Sequence, residues 1–173
     1  MLMEDLQNVT RDVDPSQYQI FCDMDGVLAD FDGGVQKIVP GYQQGVDSKN
    51  KMWKKIRQHQ KRGGEHWYEL EELDNGELWR YIARHNPEIL SATGDPYFKA
   101  NEQKRKWIPK FLEGNPKINL VRKTTDKAAW AGPNRILIDD KKEAIEPWEA
   151  AGGIGILHTS AADTVRKLKS LGL

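Results

Sequence analysis

The sequence lacks what several classes of protein require. It contains one cysteine, Cys22, so it cannot form an internal disulfide bond, and this fits a reducing compartment. No apolar run approaches the length of a membrane span, and the first residues show neither the basic nor the apolar region of a signal peptide. We therefore expect a soluble, cytoplasmic protein.

The chain also has no excess of charge of either sign. Lysine and arginine total 26 residues and aspartate and glutamate total 26, so no global field selects nucleic acid or a membrane as an obligate partner. The histidines show no metal-ligand spacing, which argues against a zinc site. They are His59, His66, His85 and His158.

Short apolar runs alternate with helical patterns along most of the chain. This alternation predicts an α/β protein with a doubly wound, parallel sheet of five strands, in one domain with room for an insertion. The predicted strands are Tyr18–Cys22, Glu88–Ser91, Ile118–Val121, Ile136–Ile138 and Ile154–Leu157, and the predicted core helices are Asn101–Leu112, Ala144–Ala151 and Ala161–Leu171.

Residues 33–77 interrupt the alternation. They separate the first two strands by more than a crossover connection needs, so we predict a small helical cap inserted after the first strand. Helical patterns occur near residues 48–60 and 76–85. The core would then comprise residues 17–32 and 78–173, with a polar leader at residues 1–16.

Two pairs of aspartates follow predicted strands. Asp23 and Asp25 come after the first strand, and Asp139 and Asp140 come after the fourth. In parallel sheets ligands bind beyond the carboxyl ends of the strands. Neighbouring carboxylates repel one another unless a cation lies between them, and Mg²⁺ prefers such oxygen ligands together with substrate phosphate. The pattern predicts metal-assisted phosphate chemistry.

The first aspartate pair can divide the work of phosphoryl transfer. Asp23 can act as the nucleophile that forms an aspartyl-phosphate. Asp25, two residues further on, suits proton transfer to and from the leaving group. Gly26 permits a turn that brings backbone N–H groups towards a phosphate.

Residues 23–31, Asp-Met-Asp-Gly-Val-Leu-Ala-Asp-Phe, resemble the first motif of the haloacid dehalogenase superfamily. Their wording is similar to that of the 5'(3')-deoxyribonucleotidase branch and its phage and bacterial relatives. Residues 89–94 resemble the second motif, Lys127 the lysine of the third, and residues 136–140 the fourth. The resemblance covers about residues 18–158.

This resemblance implies a Mg²⁺ ion held by Asp23, by the backbone carbonyl of Asp25 and by the acids of the fourth motif. Asp140 is the expected direct ligand, and Asp139 would act directly or through water. The choice between these two acids stays open at this point.

The resemblance also implies a phosphate-binding set. Ser91 is the expected hydroxyl and Lys127 the expected lysine, with Lys123 as the alternative. The nucleotidase branch carries a second hydroxyl and then proline where this chain has Ala-Thr-Gly at residues 92–94. One phosphate contact is therefore missing or supplied by Thr93.

In the predicted cap, residues 66–70, His-Trp-Tyr-Glu-Leu, resemble the aromatic pair and leucine that help form the nucleoside pocket of that branch. The resemblance implies that Trp67 and Tyr68, together with Phe31, contact a nucleobase. Alternatively, Trp67 and Tyr68 only pack the cap onto the core.

The leading hypothesis is a Mg²⁺-dependent phosphomonoesterase for a small phosphate, with a (deoxy)nucleoside monophosphate as the favoured substrate. One alternative is a polynucleotide 3'-end phosphatase, because residues 49–62 carry many basic side chains and no acid. Another is a catalytically idle module that binds phosphate or metal. A phage-encoded protein would act in the host cytoplasm.

Overall fold

The computed structural model describes residues 13–173, and five strands in this range form one parallel sheet. The strand order is β3-β2-β1-β4-β5, which confirms the predicted doubly wound α/β fold. The predicted strand bounds are each within one residue of those observed. The strands are β1 Gln19–Cys22, β2 Glu88–Ala92, β3 Ile118–Val121, β4 Arg135–Asp139 and β5 Ile154–Leu157.

Helices connect the strands. The α-helices of the described range are α1 Phe31–Ile38, α2 Lys49–Lys61, α3 Glu77–Ile82, α4 Ala100–Phe111, α5 Lys142–Ala150 and α6 Ala161–Ser170. Short 3₁₀ turns occupy Pro15–Gln17, Leu73–Gly76, Ala83–His85, Pro96–Phe98 and Thr124–Trp130. Most of the predicted leader lies outside the described residues, and the predicted domain boundaries stay a prediction.

Helix α1 is not among the sequence predictions. Asp30 caps it by accepting a hydrogen bond from the Gly33 backbone N–H at 2.9 Å. Gly33 and Gly34 lie inside the helix, where glycine costs roughly 1 kcal/mol relative to alanine and so weakens the sequence signal. The close approach of Leu70 requires Gly34, because a Cβ there would lie 2.3 Å from Leu70 Cδ2.

The sheet is covered on both faces, which explains why its central strands carry the uninterrupted apolar runs Ile20–Cys22 and Ile136–Ile138. On one face Ile20 of β1 belongs to the main core together with residues of α3, α4 and α6. On the other face Phe21 packs edge-on against Trp148 of α5, with ring centroids 5.5 Å apart. Because helices cover both faces of the sheet, the carboxyl ends of its strands are left uncovered.

The inserted segment, residues 33–77, forms α1, α2 and the chain that returns to the core. Its two ends are held side by side, because the Asp30 N–H donates to the Glu71 carbonyl and the Leu73 N–H donates to the Leu28 carbonyl, both at 2.8 Å. Gln103 of α4 also ties it to the core by accepting from the Trp67 backbone N–H at 3.0 Å.

None of the helices in the described part of the chain has the length and apolar character that crossing a membrane requires.

Candidate active site

Two neighbouring strands deliver carboxylates to the same place. Strands β1 and β4 pair in parallel with Cys22 opposite Ile138, so Asp23 and Asp139 leave the sheet side by side. The Asp23 backbone N–H still donates to the Ile138 carbonyl, at 2.9 Å. The register of the sheet therefore brings the two predicted clusters together.

Lys127 lies between these two carboxylates. Its ammonium group is 3.0 Å from Asp23 Oδ1 and 2.5 Å from Asp139 Oδ2, and its side chain is buried. The 3₁₀ turn Thr124–Trp130 carries it, and the Asp126 carboxylate fixes the start of that turn by accepting the Lys123 N–H at 2.9 Å. Lys123 itself is exposed.

The ionisation of this group reflects both burial and charge. Burial alone would raise the pKa of Asp23, but the ammonium groups of Lys127 and Lys104 outweigh it and hold that pKa below its ordinary value. Burial and the charge of Asp23 raise the pKa of Asp139. Asp23 is therefore the acid best kept as a carboxylate, which is the form a nucleophile needs.

Asp25 has a lysine of its own. Lys104 of α4 is 2.9 Å from Asp25 Oδ2, and it also donates to Ser91 Oγ at 2.8 Å and to the Ala92 carbonyl at 2.6 Å. The indole N–H of Trp67 donates to the same Asp25 oxygen at 3.1 Å. Lys104 thus links the first-motif acid to the second-motif hydroxyl.

Lys104 is a site residue that the sequence reasoning missed. Its side chain is only 1% exposed. It precedes Trp107 and Ile108 by three and four residues, and so it shares the apolar face of α4. A lysine on a buried helical face was the available signal, because such a charge needs a partner.

A small cavity of about 40 Å³ lies among these groups. Its walls combine two acids, three lysines and hydroxyl groups, which suits a compact anion held near carboxylates. The lining residues are Asp23, Asp25, Ser91, Ala92, Lys104, Thr124, Lys127 and Lys141.

A divalent cation would find oxygen ligands beside this cavity. Asp23, Asp139 and Asp140 each offer a carboxylate oxygen, and these atoms lie within 4.8 Å of one another. Asp140 Oδ1 is buried without a hydrogen-bond partner in the described part of the chain. Burial, with the charges of Asp23 and Asp139, raises the pKa of Asp140 to about 7. The donor set fits a hard cation such as Mg²⁺.

Gly26 makes room for the Asp140 carboxylate. Its φ of +77° lies in the left-handed region, and a Cβ at this position would lie 2.2 Å from Asp140 Oδ2. The glycine after the first aspartate pair is therefore required both by the turn and by the acid that packs on it.

The other predicted site residues occupy different surroundings. The Thr93 hydroxyl donates to the Val121 carbonyl at 3.2 Å, and Thr93 does not line the 40 Å³ cavity. Tyr68 lies against α4, with Lys106 and Lys110 ammonium groups 5.9 and 4.9 Å from its ring centroid. Neither side chain touches Asp23 or Asp25.

Aromatic rings surround Trp67. The ring of Trp53 is roughly parallel to it at a centroid distance of 6.4 Å, and Phe98 meets it edge-on at 6.1 Å. Trp67 is 3% exposed, whereas Phe31 and Trp53, with centroids 6.1 Å apart, are partly exposed. Phe31 and Trp53 therefore supply accessible aromatic surface in the ring cluster around Trp67.

No protein-family model matches the sequence, and no curated protein matches it. Solved structures do resemble the fold. A hydrolase from Streptococcus pneumoniae TIGR4 has a TM-score of 0.56 at 13% identity, covering 88% of this chain and 98% of its own. A haloacid dehalogenase-like family hydrolase from Streptococcus pneumoniae has a TM-score of 0.54 at 17% identity, covering 88% and 91%.

A haloacid dehalogenase-like family hydrolase from Xanthomonas campestris has a TM-score of 0.51 at 16% identity, covering 90% of this chain and 93% of its own. These similarities define the class of fold, a parallel α/β sheet with flanking helices. The fold of this chain is that of the haloacid dehalogenase-like hydrolases.

Proposed function

We propose that this protein is a Mg²⁺-dependent phosphomonoesterase that works through an aspartyl-phosphate on Asp23. The observation that carries the proposal is the 40 Å³ cavity, in which Asp23 and Asp25 are each paired with a separate buried lysine. A phosphate in this cavity would meet the ammonium groups of Lys104 and Lys127 and the hydroxyl of Ser91. A binding module would need the lysines but would have no use for the second acid.

In the first step, a carboxylate oxygen of Asp23 attacks phosphorus while the bond to the leaving oxygen breaks. Asp25 gives its proton to that oxygen, so the product leaves as an alcohol. In the second step Asp25 takes a proton from water, the water oxygen attacks phosphorus, and the Asp23 carboxylate and inorganic phosphate are released.

The lysines govern the protonation states. Lys127 keeps Asp23 ionised, as the lowered pKa of that acid requires. Lys104 Nζ lies 2.9 Å from Asp25 Oδ2, and a phosphate dianion in the cavity would compete for its charge. Asp25 is then free to carry the proton that the leaving oxygen needs.

Asp23, Asp139 and Asp140 would hold the cation, with the backbone carbonyl of Asp25 as a further ligand implied by the first motif. The bound ion supplies positive charge that offsets the charge developing on the phosphoryl oxygens. Lys127, bonded to both Asp23 and Asp139, fixes the direction in which these two carboxylates point.

The favoured substrate class is a (deoxy)nucleoside monophosphate. Support comes from the aromatic rings next to Asp25 in the inserted segment, which we propose acts as a cap over the site. Since Trp67 is 3% exposed, a base would stack on Phe31 and Trp53 while Trp67 orients Asp25.

A polynucleotide 3'-end phosphatase is the second candidate, because the outer face of α2 is cationic. Its exposed lysines and arginine form no ion pair with any described residue. They are Lys49, Lys51, Lys54, Lys55, Arg57 and Lys61, and Arg62 follows at the C-terminal end of the helix.

The test measures phosphate release with Mg²⁺ from a mononucleotide, a 3'-phosphorylated oligonucleotide and a baseless aryl phosphate. We expect Asp23→Asn to abolish release while Asp32→Asn, an exposed acid of α1, retains it. Asp25→Asn should slow alkyl esters by about 10²–10⁴-fold and aryl esters less. Substantial turnover by Asp23→Asn would refute the mechanism.

The same panel separates the two substrate classes. Trp53→Ala should lower kcat/KM for the mononucleotide about tenfold, as loss of one stacking contact predicts, and spare the aryl phosphate. A steep fall with salt on the oligonucleotide alone would favour the nucleic-acid reading. Equal losses on all three substrates would show that Trp53 only supports the fold.

A further inference from the structure

A second, larger cavity lies in the inserted segment. It measures about 320 Å³, which is within the range of pockets that hold small molecules. None of its lining residues lines the catalytic cavity. They are Gly34, Lys37, Ile38, Lys55, Gln58, His59, Arg62, His66, Glu69 and Leu70.

Some of the charged side chains that line this cavity have an ion-pair partner, and others have none. Lys37 pairs with Glu71 at 3.4 Å, and His59 pairs with Glu69 at 2.7 Å. Lys55 and Arg62 are seven residues apart in the sequence. Neither forms an ion pair with any residue in the range 13–173. Lys55 and Arg62 are therefore two positive charges without an ion-pair partner beside a cavity whose acid, Glu69, contacts His59, and together they suit an anionic group.

One residue that lines the cavity has a buried polar atom without a hydrogen-bond partner in the described chain. His66 is 2% exposed, and its Nε2 is buried without a hydrogen-bond partner in the described chain. A buried polar atom left unpaired is costly, so an occupant that bonds it would relieve that cost. Burial lowers the pKa of His66 to about 4, so its imidazole is neutral at neutral pH.

The cavity is also separated from the catalytic centre. His66 and Trp67 are consecutive, their ring centroids are 5.0 Å apart, and the Trp67 indole N–H donates to Asp25. The two cavities therefore have no lining residue in common, but they are neighbours through the side chains of His66 and Trp67.

We propose that this cavity is a second binding site, for a small organic phosphate whose dianionic group pairs with Lys55 and Arg62 and whose body reaches His66 Nε2. A phosphate monoester carries close to two negative charges at neutral pH. Ile38 and Leu70 give the uncharged part of such a molecule an apolar wall.

The experiment uses the full chain labelled with nitrogen-15 in histidine, with chelator present so that no turnover occurs, and His66→Gln to assign the His66 side-chain signal. Inorganic phosphate is titrated at constant ionic strength, with acetate as the monoanion control. We expect phosphate to move the His66 signal with saturation and acetate to leave it in place.

Matched variants locate the anion. The double variant Lys55→Gln, Arg62→Gln should weaken phosphate binding at least about tenfold, as loss of charge-assisted hydrogen bonds predicts. The double variant Lys51→Gln, Lys54→Gln makes the same charge change on exposed positions of α2 outside the cavity, and it should weaken binding less than about twofold.

Three outcomes would overturn the proposal. Equal weakening in both double variants would mean that the general field of α2 attracts the anion. An unchanged His66 response in the Lys55, Arg62 double variant would mean that phosphate acts from the catalytic cavity through Trp67. An equal response to acetate would exclude a dianion site.

Discussion

At the scale of single residues, each acid of the first motif has its own cation. Asp23 Oδ1 is 3.0 Å from Lys127 Nζ, and Asp25 Oδ2 is 2.9 Å from Lys104 Nζ. Since buried charges persist only when they are paired, two separate lysines allow the two carboxylates to coexist two residues apart.

The first prediction concerns Lys104. Lys104→Met should lower kcat/KM for any phosphate monoester by about 10²–10³-fold, because it removes a positive charge fixed beside the reacting phosphate. Lys106→Met is the matched control, since Lys106 lies on the same helix but is exposed and pairs with Glu65. Steady-state kinetics on an aryl phosphate checks this, and comparable losses in both variants would contradict the role given to Lys104.

The second prediction concerns Gly26. Gly26→Ala forces a non-glycine residue to a φ of +77° and drives its Cβ into the Asp140 carboxylate. Gly63→Ala, at a φ of +92° with open space around the Cβ, carries the strain without the clash. We expect Gly63→Ala to cost about 1–2 kcal/mol of unfolding free energy and Gly26→Ala more.

Urea unfolding with and without Mg²⁺ measures both variants. Only Gly26→Ala should also lose the stabilisation that Mg²⁺ gives, because it displaces the Asp140 carboxylate that we propose as a metal ligand. If both variants kept the Mg²⁺ effect in full, Asp140 would not be a ligand.

The residues found and missed in the sequence show what local patterns reveal. Asp23 and Asp139 are brought together by parallel strand ends, a rule that needs only the chain order, whereas Lys127 reaches them from the 3₁₀ turn Thr124–Trp130. Lys104 was missed because its partner Asp25 is supplied by another element. The buried state of Trp67 also depends on how the inserted segment packs, which periodicity does not encode.

At the scale of elements, α4 serves two regions at once. Lys104 reaches the catalytic cavity, while its neighbour Gln103 accepts from the Trp67 N–H and donates to Gln60 Oε1 at 2.8 Å. Gln60 in turn donates to the Phe98 carbonyl at 2.8 Å. The strands could be predicted from apolar runs. These side-chain hydrogen bonds could not, because each of them joins residues that are 36 or more positions apart in the sequence.

The third prediction tests the hydrogen bond from the Trp67 backbone N–H to Gln103. Gln103→Leu removes the acceptor of the Trp67 N–H, so hydrogen exchange of that amide should speed up by roughly 3–10-fold, as loss of one hydrogen bond predicts. Glu102→Leu, at the exposed adjacent position of α4, should leave the rate unchanged. Exchange followed by mass spectrometry checks both, and an unaltered rate in Gln103→Leu would show that other contacts hold the segment.

At the scale of the whole molecule, the cluster of Asp23, Asp139 and Asp140 is expected to make stability depend on pH and on the proposed metal ion together. The pKa of Asp139 is raised and that of Asp140 is raised to about 7. For these two acids the folded state therefore binds protons more tightly than the unfolded chain. Their contribution to stability is present at low pH and is lost as pH rises through about 7.

The fourth prediction follows from the direction of this pH dependence. Mg²⁺ binds the ionised carboxylates, so it should raise Tm more at pH 8 than at pH 5.5, where protons compete for Asp140. Thermal unfolding at both values with Mg²⁺ or chelator checks this. In Asp140→Asn the gain should be smaller and should depend less on pH. A gain that is equal at both pH values in the wild type would place the cation elsewhere.

The chain of bonds from Trp67 through Gln103 and Gln60 to Phe98 also limits how this protein can be recombined. An inserted segment transplanted from another protein of this fold would supply a backbone N–H for Gln103 but not the Gln60 amide to which Gln103 donates, although the junctions at residues 28–30 and 71–73 could close normally. A working chimera must therefore exchange positions 60 and 103 as a unit, even though one lies in the graft and the other in the host.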